Sequence, residues 1–277
     1  MTSLRAAPGV TIATALGAPR SQLLLVLGDD DLVTGHRASY WTGVAPAIEM
    51  DLAFATIAQD GINHADLWYQ LIVGSELSGN DPQVRAAVDA IGLGRDPGDY
   101  RHAILCERPP GDIAFSIARH IVVDHVLATR LDALTGSSDR DIAGLAGKIA
   151  WEQRYHLRHA VRYLGLLAGA EPAQRSRFTR ALERVVAEAF GLFESFAGEA
   201  EVVADGTLPV AHAELRDAWL ERMQTVLAPH GLDGVLDVDE VPSDALGGRL
   251  GNHSPDFTDE LWPEMTTLYR SDPAAEW

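Results

Sequence analysis

Four segments of the chain carry apolar residues at alternating intervals of four and three, the spacing that places them along one face of an α-helix. We call each such row a stripe. The first segment runs roughly from 20 to 41, and the second runs from Pro46 to about 75. The third begins near Asp112, a favourable helix N-cap. The fourth begins near Ser138, which together with Asp141 resembles a capping arrangement and is the predicted cap. The second stripe illustrates the pattern with Met50, Phe54, Ile57, Gly61, His64, Trp68 and Leu71.

The connection between the second and third helices is long and rich in Gly, Pro and Asp over residues 76–111. A short helix near 82–92 is predicted within it. The order is therefore two helices, one long crossover and two more helices, which is the connectivity of ferritin-like bundles. We predict an all-α fold, a ferritin-like antiparallel four-helix bundle.

Further helical periodicity at about 172–199 and 209–228 predicts extra C-terminal helices. A last short helix is expected to begin at Ser254 and to be kinked by Pro263. The predicted organisation is a flexible N-terminal arm at 1–19, a bundle at 20–200 with the crossover 76–111, and a C-terminal helical extension at 201–277 packed on the bundle.

The acidic balance of the chain excludes several function classes. Among 277 residues, 40 Asp and Glu face 22 Lys and Arg, for a net charge of −18. This charge argues against binding to nucleic acid or to an anionic membrane surface. No apolar run approaches the length of a membrane span, and no signal peptide is evident. The single cysteine, Cys106, cannot form an internal disulfide, so we expect a cytoplasmic protein.

Each stripe is interrupted near its middle by a polar residue where a bundle seam requires an apolar one. Buried polar groups are costly unless they are paired or bind a metal ion. Di-iron bundles place a carboxylate on each of two helices and a Glu-x-x-His pair on each of the others. We predict that the four polar residues converge in the bundle core. They are Asp31, His64, Asp124 and His156.

The two positions that carry the bridging glutamates of a di-iron bundle hold Gly61 and Gln153. Two nearby metal ions need bridging anionic oxygens, and neither residue supplies one. The two imidazoles and two carboxylates suit at most a single Fe, Mn or Zn ion. We therefore expect no cofactor in this chain and favour a metal-free core in which the four polar residues hydrogen-bond to one another. A single metal ion bound by these residues is the alternative.

Other charged residues have simpler interpretations. Glu49, Asp60 and Glu152 flank the stripes and are interpreted as solvated charges at the bundle rim. His120 lies on the third stripe and is interpreted as a hydrogen-bonded core histidine.

A basic ridge is predicted on the fourth helix, because arginines recur there every four residues. The ridge consists of Arg154, Arg158 and Arg162. On a chain of net charge −18 it suits an acidic partner or a CoA phosphate. The plainer interpretation is a solvated face.

A set of short motifs, taken in order, resembles one known family. The motifs are Leu27-Gly28-Asp29-Asp30, Gly35-His36-Arg37, Trp41-x-Gly43-x-Ala45-Pro46, Glu107-x-Pro109, Ser116-Ile117-Ala118-Arg119, Tyr155-His156-Leu157-Arg158 and Leu215-Arg216-x-Ala218-Trp219. Over about residues 22–277 they resemble the structural subunit of bacterial phenylacetyl-CoA epoxidases. The chain departs from that subunit's usual pattern at Asp31, at His64, where Gln is usual, and at Ser254-Pro255, where Thr-Glu is usual.

The resemblance implies a ferritin-like subunit that has no oxygenase activity of its own. It implies pairing with a di-iron catalytic subunit and other epoxidase components, in a homo- or hetero-oligomer that epoxidises the ring of phenylacetyl-CoA. We therefore predict a non-catalytic structural subunit for aerobic phenylacetate degradation. The departures leave open a divergent relative that serves another aryl-CoA thioester. The alternative function is an independent ferritin-like metal-binding protein or oxygenase with a mononuclear core site.

Overall fold

The computed structural model describes residues 16–74 and 81–273, and every regular element within those ranges is helical. The prediction of an all-α fold is therefore confirmed. A π-helical turn, Asp256–Leu261, leads into the last helix. The α-helices are α1 Pro19–Ser39, α2 Ile48–Val73, α3 Pro82–Leu93, α4 Ile104–Glu107, α5 Ile113–Leu134, α6 Arg140–Ala168, α7 Pro172–Ala189, α8 Glu199–Ala204, α9 His212–Leu227 and α10 Trp262–Ser271.

Helices α1, α2, α5 and α6 form the predicted four-helix bundle. Helix α1 packs along α2, and α5 packs along α6. Sequence neighbours are antiparallel: on the α5–α6 pair, His120 contacts His159, whereas Asp124, one turn later on α5, contacts the earlier Gln153 on α6. The connection between α2 and α5 contains α3 and α4 and is the predicted long crossover. The ferritin-like connectivity is confirmed.

Helix α1 is buried on all sides, although the sequence predicted only one buried stripe. Sixteen of its 21 residues are buried, and the consecutive Asp29, Asp30 and Asp31 are among them. The five apolar residues 23–27 leave this helix no polar face, which is typical of a central helix. The buried carboxylates of α1 pair with buried arginines, Asp29 with Arg95 and Asp30 with Arg130 and Arg249.

Aspartates cap the starts of two of the four bundle helices, α5 and α6. Asp112 accepts a hydrogen bond of 2.9 Å from Phe115 N, as its predicted N-cap role requires. Helix α6 is capped by Asp139, which accepts from Asp141 N and Ile142 N, and the prediction of Ser138 as the cap was wrong by one residue. The Ser138 hydroxyl instead donates to the Asp205 carbonyl oxygen, so a distant loop sets its position.

The C-terminal helices lie against the bundle, with α9 against α5 and α10 against α3. Helix α7 ends at Ala189 instead of continuing to about 199. Two residues later, the backbone at Gly191 packs so closely against the Ala245 backbone that a Cβ atom on Gly191 would collide with the Ala245 carbonyl oxygen. The helix therefore ends where these two backbones meet. Pro263 stands in the first turn of α10, next to the π-helical turn. In the described part of the chain, no helix has the length and apolar character needed to cross a membrane.

The predicted division into an arm, a bundle and an extension stays a prediction. Residues 1–15 of the predicted arm 1–19 lie outside the described residues. The described part begins just before α1, whose first residue, Pro19, falls one position before the expected helix start.

Candidate functional site

The four polar residues predicted near the middle of the stripes come together around one cavity in the bundle core. Asp31 of α1, His64 of α2, Asp124 of α5 and His156 of α6 all line it. The cavity has a volume of about 40 Å³, which is close to the space that one or two water molecules occupy. The four helices therefore present these side chains at one level of the bundle.

Each of the two core histidines is bound by a carboxylate from the opposite helix. His64 Nε2 donates to Glu152 Oε2 over 2.9 Å, and His156 Nε2 donates to Asp60 Oδ2 over 3.0 Å. Each acid lies four residues before the histidine of its own helix and therefore shares its helix face. Because α2 and α6 are antiparallel, the two acid–histidine pairs cross between the helices reciprocally.

This arrangement differs from the predicted hydrogen-bond pattern of a metal-free core, in which the four polar residues would bind one another. The four predicted residues do not hydrogen-bond to one another in the described structure, since each has a different partner. Asp60 and Glu152, interpreted as solvated rim charges, are partly exposed but serve as the partners of the two histidines. The spacing of four between Asp60 and His64, repeated between Glu152 and His156, carried this signal. The Glu-x-x-His pattern of di-iron bundles has a spacing of three, so it did not include these two acids.

Asp124 is held by side chains of α5 and α6. Gln153 Nε2 donates to Asp124 Oδ1 over 2.9 Å, and His120 Nδ1 lies 2.5 Å from Asp124 Oδ2. Burial opposes ionisation of Asp124, but the charge and hydrogen bond of His120, with smaller help from His156 and Gln153, lower its pKa. His120 lies in the core as expected, and it shares a hydrogen bond of 3.0 Å with His159 Nδ1. It therefore anchors an ionised carboxylate.

Asp31 is in the opposite protonation state. Trp68 Nε1 donates to its Oδ2 over 3.1 Å. Burial, together with the negative charge of Asp30, raises the pKa of Asp31 to about 8. Burial also opposes ionisation of Asp30, but Arg249 and Arg130 hold the pKa of Asp30 well below its usual range. Asp31 is therefore protonated near pH 7, and a protonated carboxyl must lose its proton before it can bind a metal ion.

The two core histidines also differ in charge. Burial lowers the pKa of His64, and Glu152 offsets this only in part. Burial acts on His156 in the same direction, but its hydrogen bond to Asp60 and the charge of Asp124 raise its pKa overall. The hydrogen bond from His156 likewise lowers the pKa of Asp60. The raised pKa of His156 and the lowered pKa of Asp60 favour an ion pair between them, whereas the lowered pKa of His64 favours a neutral imidazole that donates to Glu152.

Helix packing explains why no glutamate stands at position 61. A Cβ atom on Gly61 would lie 3.1 Å from the Asp31 carbonyl oxygen and 3.3 Å from Gly35 Cα. Helices α1 and α2 therefore touch backbone to backbone at this point. On α6, the Gln153 amide is used to bind Asp124, and its buried Oε1 has no hydrogen-bond partner in the part of the chain that the structure describes.

These residues do not fit a di-iron centre, because Gly61 and Gln153 supply no bridging carboxylate. A single ion lacks a preformed set of ligands at the core cavity as well. Across the described ranges, only one group of three His, Cys, Asp or Glu has ligand atoms that all lie within 4.8 Å of one another, and it lies elsewhere. It consists of His102, Glu107 and His253.

That second cluster joins the crossover to the C-terminal segment. His102 Nε2 and His253 Nδ1 donate to the same oxygen, Glu107 Oε2, over 2.6 and 2.9 Å. The other nitrogen of His253 faces the Tyr100 carbonyl oxygen at 3.1 Å, so both of its ring nitrogens act as donors. Burial opposes ionisation of Glu107, but the two histidines lower its pKa. In the sequence Glu107 stands only in the motif Glu107-x-Pro109, which did not indicate this buried cluster.

The four-helix bundle with one long crossover defines a ferritin-like protein. Its core is degenerate in the sense that the inward-facing polar residues pair with other groups of the protein. The chain belongs to the phenylacetic acid catabolic protein family, whose sequence profile matches residues 10–277. It is also similar to a subunit of the 1,2-phenylacetyl-CoA epoxidase of Escherichia coli (strain K12). The two sequences are 28% identical over 256 residues, which cover 91% of this chain and 97% of the relative.

Proposed function

We propose that this chain is the non-catalytic structural subunit of a multicomponent phenylacetyl-CoA epoxidase, paired with a di-iron catalytic subunit in aerobic phenylacetate degradation. One observation carries the non-catalytic assignment. At the level where a di-iron bundle holds its metals, Gly61 brings two helix backbones into contact and Gln153 binds Asp124. The similarity to an epoxidase component along nearly the whole chain supports the choice of complex.

The chemistry of the core supports a scaffold. An oxygen-activating centre needs metal ligands with free lone pairs and an open coordination position. Here the Nε2 atoms of His64 and His156 are bound to Glu152 and Asp60, which leaves only Nδ1 of each ring as a possible metal ligand. Asp31 is protonated near pH 7. The bundle therefore uses its inward polar residues to hold α2 against α6, and the reaction belongs to the partner.

The proposal includes no cofactor in this chain and a cytoplasmic location. A cytoplasmic location agrees with a lone, buried cysteine, Cys106, that has no partner for an internal disulfide. The partners are the di-iron oxygenase subunit and the other epoxidase components.

The test is to reconstitute the complex from separately purified components and to measure epoxidation of phenylacetyl-CoA with oxygen and the reductase. We expect no turnover by this chain alone, turnover by the complex, and iron bound only to the catalytic subunit by metal analysis. A chain that binds two metal ions and turns over substrate by itself would refute the proposal.

Variants at position 64 separate a scaffold from an enzyme. His64→Ala leaves Glu152 without its partner and should reduce the free energy of unfolding by about 1–3 kcal/mol, while the assembled complex keeps its activity. His64→Gln is the matched control, because its amide can still donate to Glu152, and it should retain most of the stability. Loss of turnover in a correctly assembled His64→Gln complex would point to a catalytic core.

One observation favours the alternative of a mononuclear metal protein, namely that Asp31, His64, Asp124 and His156 line the same cavity. This alternative requires the Nδ1 atoms of both histidines to bind the ion while Nε2 stays bound to the carboxylates, and it requires Asp31 to lose a proton. Equilibrium dialysis with Fe²⁺, Mn²⁺ and Zn²⁺, followed by metal analysis, decides between the two. One tightly bound ion per chain that is lost in a His64→Ala/His156→Ala variant would support the alternative.

A further inference from the structure

Helix α6 has one buried face and one face with no packing partner within the described structure. The buried face follows the fourth stripe, with Ile149, Gln153, His156 and Ala160 in the core. On the opposite side, Trp151 is 68% exposed and Tyr155 is 44% exposed. A large exposed aromatic pair on a long helix is unusual for a surface that only faces water.

Two glycines near the start of α6 leave room for another protein backbone to pack closely against the same exposed face. Gly144 and Gly147 stand inside the helix, where glycine lowers helix stability relative to alanine. A Cβ atom at either position would meet no other atom within 4 Å, so packing inside this chain does not require glycine there. Small residues on an exposed helix face allow another backbone to come close.

The basic side chains of α6 differ from the other described arginines, because they form no hydrogen bond or ion pair within the described structure. Among the residues that the structure describes, every arginine outside α6 makes at least one hydrogen bond or ion pair with its side chain. The side chains of the basic residues of α6 make none of either kind. They are Arg140, Lys148, Arg154, Arg158 and Arg162. On a chain of net charge −18, carboxylates are in excess, so this concentration of unpaired cations marks a distinct surface.

The start of helix α2 extends this surface with apolar residues. Ile48 is 72% exposed and Leu52 is 64% exposed. The start of α2 runs level with the C-terminal half of α6, because the two helices are antiparallel and Phe54 contacts His159 across the pair. We call the outward faces of α6 and of the first turns of α2 the α6 surface.

We propose that the α6 surface is where this chain docks onto the catalytic subunit, against a helical face that presents Asp and Glu carboxylates around an apolar centre. The inference rests on the proposed function and adds the surface and the chemistry of its partner. Trp, Tyr and Arg are the residues that most often dominate the binding energy of protein interfaces. The unpaired arginines supply charge complementarity to an acidic face, and Trp151 supplies the central apolar anchor.

The combination favours a protein over a small anion. A CoA phosphate would be bound by arginines alone, and it would leave Trp151, Ile48 and Leu52 in water. A second protein covers both the charges and the apolar side chains. Nucleic acid is disfavoured by the net charge of −18.

The test measures the affinity of the full-length chain for the purified catalytic subunit by interferometry or calorimetry. The test variant is Trp151→Ala/Arg158→Glu, which truncates the anchor and reverses one charge. The control is Leu268→Ala/Arg180→Glu, which makes the same kind of change at exposed residues of α10 and α7. We expect affinity to fall by about 30-fold or more in the test variant, and to stay within about twofold of the wild type in the control.

Both variants change exposed residues, so circular dichroism should show an unchanged melting temperature. If the wild type binds and both variants bind equally well, the α6 surface is not the docking site, and the proposed function stands. If the wild type does not bind the catalytic subunit, the proposed function and this inference both fail. The isolated chain should show no tryptophan fluorescence change with phenylacetyl-CoA. A saturable change that Trp151→Ala/Arg158→Glu abolishes would assign the ridge to CoA and overturn the proposal.

Discussion

At the scale of single residues, three consecutive aspartates of α1 meet three different environments. Asp29 is paired with Arg95 and accepts a hydrogen bond of 2.6 Å from Tyr69. Asp30 is enclosed by two arginines. Within the described ranges, Asp31 accepts a side-chain hydrogen bond from the Trp68 indole alone, and it lies next to the negative charge of Asp30, so it holds its proton. Asp31 therefore differs in charge from Asp30, the residue before it, because Asp30 is paired with arginines and Asp31 is not.

Replacing Asp31 by Asn should reveal this protonation. An unfolded Asp loses its proton near the ordinary pKa of 3.8, whereas folded Asp31 keeps it up to about pH 8. Wild-type stability therefore falls as the pH rises between those values, by up to about 1.4 kcal/mol per pH unit. Asn does not titrate and can still accept from Trp68, so Asp31→Asn should gain stability relative to the wild type over the same window.

Urea unfolding of both proteins at pH 5, 6.5 and 8 measures the difference. Other groups titrate alike in the two proteins and cancel. A difference in unfolding free energy that does not grow with pH would mean that Asp31 is ionised in the folded protein.

At the scale of helices, the contact between α1 and α2 decides what the core can hold. Gly35 and Gly61 let the two backbones touch, since a Cβ on Gly35 would lie 3.0 Å from the Ala58 carbonyl oxygen. This close approach leaves no room for a bridging glutamate at position 61. It also brings α2 close enough for Trp68 to reach Asp31.

Gly61→Ala should destabilise the protein by about 1–3 kcal/mol, because the added methyl group meets backbone atoms that cannot move independently. The matched control is Gly144→Ala on α6, where no atom lies within 4 Å. That change should instead stabilise the isolated chain by about 0.5–1 kcal/mol, the usual gain of alanine over glycine within a helix. Thermal unfolding of both variants gives the comparison. Equal effects of the two substitutions would contradict the backbone contact between α1 and α2.

At the scale of the whole molecule, buried ion pairs attach the C-terminal segment to the bundle. Arg249 reaches Asp30 of α1, and His253 reaches Glu107 of the crossover. Ser254 N also donates to Glu107 Oε1 over 2.7 Å. Through these contacts, segments more than a hundred residues apart in the sequence form one core. Such rigidity suits the proposed role of a scaffold subunit, which would present one fixed surface to its partner.

Glu107→Gln should lower the free energy of unfolding by about 3 kcal/mol at pH 7. The amide removes the negative charge, and its NH2 group must face a donor from which a carboxylate oxygen now accepts. The pKa of Glu107 is lowered in the folded protein, so its contribution is complete above the ordinary value of 4.5 and is lost as the pH falls below it. The stability gap to the wild type should therefore shrink in acid.

Denaturant titrations at pH 7 and 4 measure this gap. Hydrogen exchange at pH 7 should show faster exchange over residues 248–262 in the variant, while α5 stays protected. Unchanged exchange in that segment would show that Glu107 does not hold it.

The sequence by itself determined the elements of the bundle and the positions of its inward polar residues. Helical periodicity reports which face of a helix is apolar, and that was enough to locate the crossover and to place Asp31, His64, Asp124 and His156 at one level. Asp112 was identified as an N-cap, since capping depends only on neighbours three residues away. Local and periodic signals of this kind need no knowledge of the partner helix.

Only the tertiary structure decided which groups meet. Asp60 and Glu152 bind the core histidines because α2 and α6 are antiparallel in one particular register. The charge of Asp31 depends on burial and on Asp30, whose own charge is set by arginines far away in the sequence. Periodicity describes one helix at a time, so it contains neither the register between helices nor the electrostatic field that they create together.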